Sequence, residues 1–107
     1  MQGFQLTFFT RQDRKHGKKP LCDWLLEAAR EAGMHGATVV AAAKGFGHSG
    51  HLHSASFFEL ADQPQQVVMI ATAEQSDRLL ARIESELLPL FYVKTPVEFG
   101  MLGPDAP

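Results

Sequence analysis

Val67-Val68-Met69-Ile70-Ala71 places the tightest limit on how this chain can fold. No polar residue alternates through the run, so it reads as a strand buried on both faces, the kind found at the centre of a sheet. Asp62-Gln63-Pro64 in front of it is a turn signal. Thr72 and Gln75 behind it have the spacing of a capping box, in which a threonine hydroxyl and a glutamine side chain satisfy each other's backbone N–H groups. The chain must therefore build a sheet around this strand, cover both faces, and pass from it directly into a helix.

The flanking segments supply the partners. Phe4, Leu6 and Phe8 alternate with Gln5, Thr7 and Phe9, which predicts a first strand with its even positions inward. A polar, basic loop follows from Arg11 to Lys19. Pro20 suits a first helical position, where a missing N–H costs nothing. Leu21, Trp24, Leu25, Ala28, Ala29 and Ala32 then recur at helical spacing, with Gly33 placed to end that helix. Trp24 reads as core packing. Gly36 to Lys44, rich in alanine and β-branched residues, predicts a second strand, and Ser54 to Leu60 reads as extended. In the second helix Leu79, Leu80, Ile83 and Leu87 form the buried face, and Pro89 ends it. Phe91 to Phe99 is the last strand. Pro96 lacks a ladder donor and puts this strand at a sheet edge. Residues 101–107 read as a loose tail after a single domain over 1–100.

The order β-α-β-β-α-β, with an elongated connection between the middle strands, is the ferredoxin-like α+β pattern. In that arrangement both helices lie on one face of an antiparallel sheet. The apolar odd face, carrying Phe9, then needs another cover. For 107 residues the expected cover is another copy of the chain.

Composition narrows the class. With 45% hydrophobic and 21% charged residues the chain has the balance of a soluble globular domain, and no apolar run is long enough to span a bilayer. The stretch Met1 to Gln5 lacks signal-peptide character, and Cys22 is the only cysteine, which together predict a cytoplasmic protein without an intrachain disulfide. The net charge of −2 hides an uneven distribution. Arg11, Arg14, Lys15, Lys18 and Lys19 stand against Asp13 alone, whereas the second half carries most of the acids. The basic run reads as a solvated loop or as a site for a phosphate or acidic partner. No groove-reading motif accompanies it, which argues against nucleic acid.

Gly45-Phe46-Gly47-His48-Ser49-Gly50-His51-Leu52-His53 holds three glycines and three histidines directly after the second strand. Glycine lets a backbone come close to a ligand, and successive N–H groups in such a bend can form an anion nest. Histidine supplies metal-ligand nitrogens, so His48, His51 and His53 form an alternative metal site; no cysteine or carboxylate accompanies them, and their spacing matches no dedicated zinc module. No nucleophile, base and orienting group stand together in the sequence, and a base pair of Glu59 with His53 has only composition behind it. Cys22, beside the buried Leu21, reads as an inert thiol. These readings point to a binding protein and not an enzyme.

Gly36-Ala37-Thr38-Val39 leading into Lys44-Gly45-Phe46-Gly47 resembles the PII signalling superfamily. There a second strand runs into a Gly-Phe-Gly element at the base of a long T-loop. The resemblance extends through Asp13-Arg14, His16-Gly17, Pro20-Leu21, Leu52-His53-Ser54-Ala55 and the strand at Val67. It is closest to a small PII-like family catalogued as a domain of unknown function, whose members are often encoded beside fluoride channels. The resemblance implies a homotrimer that binds a nucleotide in clefts between subunits. It also implies signalling through residues 48–64 to a transporter, channel or enzyme, with no insertion into a membrane. Carried over by position, Gly45, Phe46, Gly47, His48 and Ser49 would line the cleft, and Arg11, Arg14 or Lys15 would supply positive charge. The chain departs from PII in three respects. Leu88-Pro89-Leu90-Phe91-Tyr92 has no glycine where PII has a glycine-rich phosphate loop. No arginine or lysine follows Phe99. Tyr92, the only tyrosine, lies outside the T-loop. These departures favour AMP or ADP over ATP.

Overall fold

The computed structural model describes residues 1–42, 44–46, 52–54 and 63–104. A four-stranded antiparallel sheet carries the fold. Its strands are β1 (Gln2–Arg11), β4 (Ala37–Ala41), β7 (Pro64–Ala71) and β8 (Phe91–Glu98), in the spatial order β4-β7-β1-β8. Two short ribbons are attached to it. One pairs β2 (Lys15–His16) with β3 (Lys19–Pro20), and the other pairs β5 (Lys44–Phe46) with β6 (Leu52–Ser54). The helices are α1 (Leu21–Glu31) and α2 (Ala73–Ser85). The α+β, ferredoxin-like arrangement expected from the sequence is the one found.

Register explains the layering. Leu6 lies opposite Met69, and Phe8 opposite Val67. All four are buried, and they join Leu21, Leu25, Ala28, Ala29, Leu79 and Ile83 from the helices in a single core. Because strand side chains alternate, the intervening residues point away from the helices. Phe9, Ile70, Val40, Phe91 and Val93 emerge there partly or largely exposed. The apolar run at Val67 thus occupies an inner strand, with one face in the core and the other on this open surface. Pro96 sits in β8, an edge strand, as its missing donor requires.

The termini of the helices are built locally. Thr72 Oγ1 accepts from the Gln75 N–H at 3.2 Å, and the Thr72 N–H donates to Gln75 Oε1 at 2.9 Å, which completes the expected capping box. The same Gln75 donates through Nε2 to Gly33 O at 2.8 Å, and Arg78 donates to Ala32 O at 3.1 Å. Side chains of α2 therefore satisfy carbonyls left over at the end of α1. Gly33, at φ +88°, takes the left-handed turn that ends α1.

Three local expectations are corrected. Pro20 precedes α1 as its N-cap, with φ −55° and ψ 137°, and is not its first helical residue. The segment Arg11–Lys19 is not all loop, since it contains the β2–β3 ribbon, turned at Gly17 with φ +65°. α2 ends at Ser85, before Pro89, because the chain turns left-handed at Leu87 with φ +54°. That turn lifts Leu87 off the apolar stripe and leaves it 89% exposed. Leu88 and Leu90 pack against the core in its place.

Candidate functional site

Three segments meet at one end of the sheet. β1 finishes at Arg11, which lies opposite Pro64 at the start of β7. The Gln12 N–H extends this pairing to Gln63 O at 3.0 Å. From the other side, the Ala42 N–H just past β4 donates to Pro64 O at 2.8 Å. Two residues later the chain enters β5, which lies against β7. Gly45 pairs with His53, and Phe46 with Leu52, so the Gly-Phe element is the root of a two-stranded ribbon rising from this end. Gly47, His48, Ser49 and His51 lie outside the described residues, as does Glu59. Among the described residues no three histidine, cysteine or carboxylate side chains gather as a metal set.

The basic segment leaves β1 at the same end. Arg11 stays on the strand, with Nε 3.4 Å from Asp13 Oδ1, and both side chains are solvated. Arg14 turns back across the fold. Its N–H donates to Arg11 O at 3.2 Å, its carbonyl accepts from the Leu21 N–H at 2.9 Å, and its guanidinium donates to Pro89 O. Burial, with Arg11 nearby, lowers the proton affinity of Arg14, although a guanidinium stays charged in any protein setting. Lys15 opens β2 and is exposed. Lys19 pairs with Glu27 of α1. The structure thus brings Arg11 to the root of the β5–β6 ribbon and commits Arg14 to the α2–β8 connection. Lys15 is left on the β2–β3 ribbon with no ion pair among the described residues.

The thiol of Cys22 donates to Gln65 Oε1 at 2.8 Å beneath this end of the sheet. Burial first, and then Asp23, push its pKa up, so it is held as a protonated thiol and not as a nucleophile.

One cluster was missed by the sequence reading. His16 Nε2 lies 2.9 Å from Glu86 Oε1, and its ring meets Trp24 edge-on at 5.0 Å. Arg82 sits 5.5 Å from the centre of the indole and donates to Glu31 at 3.0 Å. Helical spacing puts Arg82 and Glu86 on one face of α2, and Trp24 and Glu31 on one face of α1. No sequence signal joins those faces to His16, some 70 residues from Glu86.

Residues 3–98 match the family DUF190, described as Uncharacterized ACR, COG1993. This chain belongs to the DUF190 family. A UPF0166 protein from Aquifex aeolicus (strain VF5) is 34% identical over 82 residues, covering 76% of this chain and 78% of that protein. Among solved structures, the DUF190 chain is similar to CPII from Thiomonas intermedia K12, a nitrogen regulatory PII-like protein bound to ADP, AMP and bicarbonate. The TM-score is 0.69 at 17% identity, over 94% of this chain and 91% of CPII. A PII-like signaling protein from Thermus thermophilus gives a TM-score of 0.64 at 20% identity, over 90% and 87% of the two chains. At these identities the likeness establishes a shared fold. The DUF190 chain is PII-like in architecture, as its motifs predicted.

Proposed function

We propose that this DUF190 protein is a PII-like regulatory protein without catalytic activity. It binds an adenine nucleotide, AMP or ADP, in clefts between the subunits of a homotrimer in the cytoplasm. The observation that carries this reading is the convergence of Arg11 with the root of the ribbon bearing Gly45 and Phe46 at one end of a PII-like sheet. CPII, which shares the fold, is bound to ADP, AMP and bicarbonate. In the proposed cleft Gly45, Phe46, Gly47, His48 and Ser49 contact the ligand, and Arg11, Arg14 and Lys15 offset its charge. The connection from Glu86 to Leu90 has no glycine or basic residue to wrap a triphosphate, which favours the shorter nucleotides. The apolar open face of the sheet supports assembly, because such a patch is normally covered. Signalling then runs through residues 48–64 to a protein partner such as a transporter or channel.

Calorimetric titration of the untagged protein with AMP, ADP, ATP, cyclic nucleotides and bicarbonate tests the reading. Saturable heats for AMP or ADP, weakened at least tenfold in Arg11→Ala, are expected. Flat traces for every ligand would remove the nucleotide-sensor reading.

A further inference from the structure

The His16–Glu86–Trp24 cluster lies outside the proposed ligand cleft, where the β2–β3 ribbon meets the C-terminal end of α2. It joins three elements that are distant in the chain. His16 comes from β2, Trp24 and Glu31 from α1, and Arg82 and Glu86 from the end of α2. We propose that His16 and Glu86 form a protonation-sensitive latch. It holds the cationic ribbon Lys15–Pro20 against the end of α2 while the imidazole is charged, and releases it when the imidazole is neutral.

The ribbon cannot hold its own position. Its ladder contains only the pairs Lys15↔Pro20 and His16↔Lys19, and an isolated two-stranded ribbon is marginal in water at best. Its place is set by tethers. These are the Leu21 N–H to Arg14 O bond, the Arg14 guanidinium on Pro89 O, the Lys19–Glu27 pair and the His16–Glu86 contact. Arginine and lysine stay charged through neutral pH, and carboxylates titrate well below it. Histidine alone among these groups ordinarily changes charge there. Of these four tethers among the described residues, only the one through His16 includes an imidazole, the side-chain type whose charge ordinarily changes near neutral pH.

The surrounding charges set the sign. Glu86 faces the imidazole at 2.9 Å from α2, with Arg82 one turn before it. Arg82 is paired with Glu31 of α1, and Lys19, the cross-strand neighbour of His16, is paired with Glu27 of α1. Arg14 just before the ribbon and Lys15 at its start are further cations beside His16. Glu86 is the charge in direct contact with the imidazole. A neutral imidazole can already donate to the carboxylate, and a charged one adds an ion pair to that bond. Glu86 also closes the end of α2, where the helix dipole favours a cation. Because Lys15 rides on the ribbon and Arg14 directly precedes it, the latch sets how these cations are presented to a ligand. That consequence rests on the cleft proposed above, whereas the latch itself does not.

Amide hydrogen exchange over residues 14–21, without nucleotide and corrected for intrinsic chemical rates, tests the latch. An exposed charge pair predicts that wild-type protection falls about two- to fivefold between about pH 6 and about pH 8. Protection should be independent of pH over that range in His16→Gln and in Glu86→Gln. The only tryptophan, Trp24, gives a second readout, since its emission should show a pH step in the wild type that is absent from His16→Gln. Wild-type protection that is flat with pH, or a fall that persists in either variant, would overturn the latch. Loss of nucleotide binding with these profiles intact would count against the cleft alone.

Discussion

The two faces of the sheet are made by the same strands and end in opposite surroundings. Phe8 and Phe9 are neighbours in β1, yet Phe8 is 1% exposed among the helices and Phe9 is 37% exposed on the far side. In β7, Met69 is 2% exposed and Ile70 37%. On the edge strand β8 the open face is barer still, with Phe91 at 62%. Aromatic contacts follow the same division, with Phe8 near Tyr92 at 6.1 Å on the covered side and Phe9 near Phe91 at 5.5 Å on the open side. The helix-covered face is a finished core. The open face mixes apolar side chains with Gln and Thr, and no helix among the described residues packs over it. The lesson is that one face builds the core while the other presents partly exposed apolar side chains, the surface the proposed assembly would use.

Substitutions can separate these roles. The largest loss is expected from Phe8→Ala, about 3–5 kcal/mol of unfolding free energy for truncating a buried aromatic. Denaturant melts of Phe9→Ala, measured below the assembly concentration, should show a clearly smaller loss. Equal losses would mean the two faces are not distinct. Ile70→Arg should abolish assembly, read as subunit mass by analytical ultracentrifugation, while the circular dichroism spectrum stays folded. Oligomers that survive this change would move the interface elsewhere.

Gly3→Ala tests the sheet between the two faces. A Cβ at Gly3 would lie 2.3 Å from Ala71 O and 2.7 Å from the Phe99 ring. The backbone carbonyl cannot swing aside, so a loss of about 1–3 kcal/mol is expected, as for other overpacked sites. An unchanged melting temperature would show that β1 and β7 can part at this end. A gain is expected at Leu87, which is exposed and left-handed. Leu87→Gly should stabilise by up to about 1 kcal/mol by removing backbone strain. A lower melting temperature instead would show that the Leu87 side chain packs against something.

The smallest effect concerns Glu86. Its hydrogen bond to His16 holds the carboxyl below its usual range, aided by the charges of Arg82 and His16 and opposed by desolvation. A depressed carboxylate contributes stability above its unfolded pKa and loses it as pH falls through the folded value. The difference in melting temperature between wild type and Glu86→Gln should therefore close on the acid side of the carboxylate range. A difference that persists unchanged to lower pH would show that the contact is not ionic.

Much of the fold was legible because its determinants are local. Period-two alternation at Phe4–Phe9, helical spacing from Leu21 to Ala32, the Thr72–Gln75 capping box and the edge proline Pro96 each specify an element from a few neighbouring residues. The end of α2 was not legible. Leu87 continues the helical stripe in sequence, and only packing of Leu88 and Leu90 against the core explains why the chain turns before it. The β2–β3 ribbon escaped for a similar reason, since its polar residues carry no alternation and it is held by tethers to α1 and to the α2–β8 connection.

The candidate site divides in the same way. The amino-acid sequence by itself determined the order of the main strands and helices, because local spacing suffices for each, and its motifs carried the resemblance to PII-like proteins. Only the tertiary structure decided that Arg11 and the root of the β5–β6 ribbon share one end of the sheet, that Arg14 donates to Pro89 O, and that His16 faces Glu86. Those pairings depend on which strand ends and helix ends coincide in space, and no local pattern of residues encodes that.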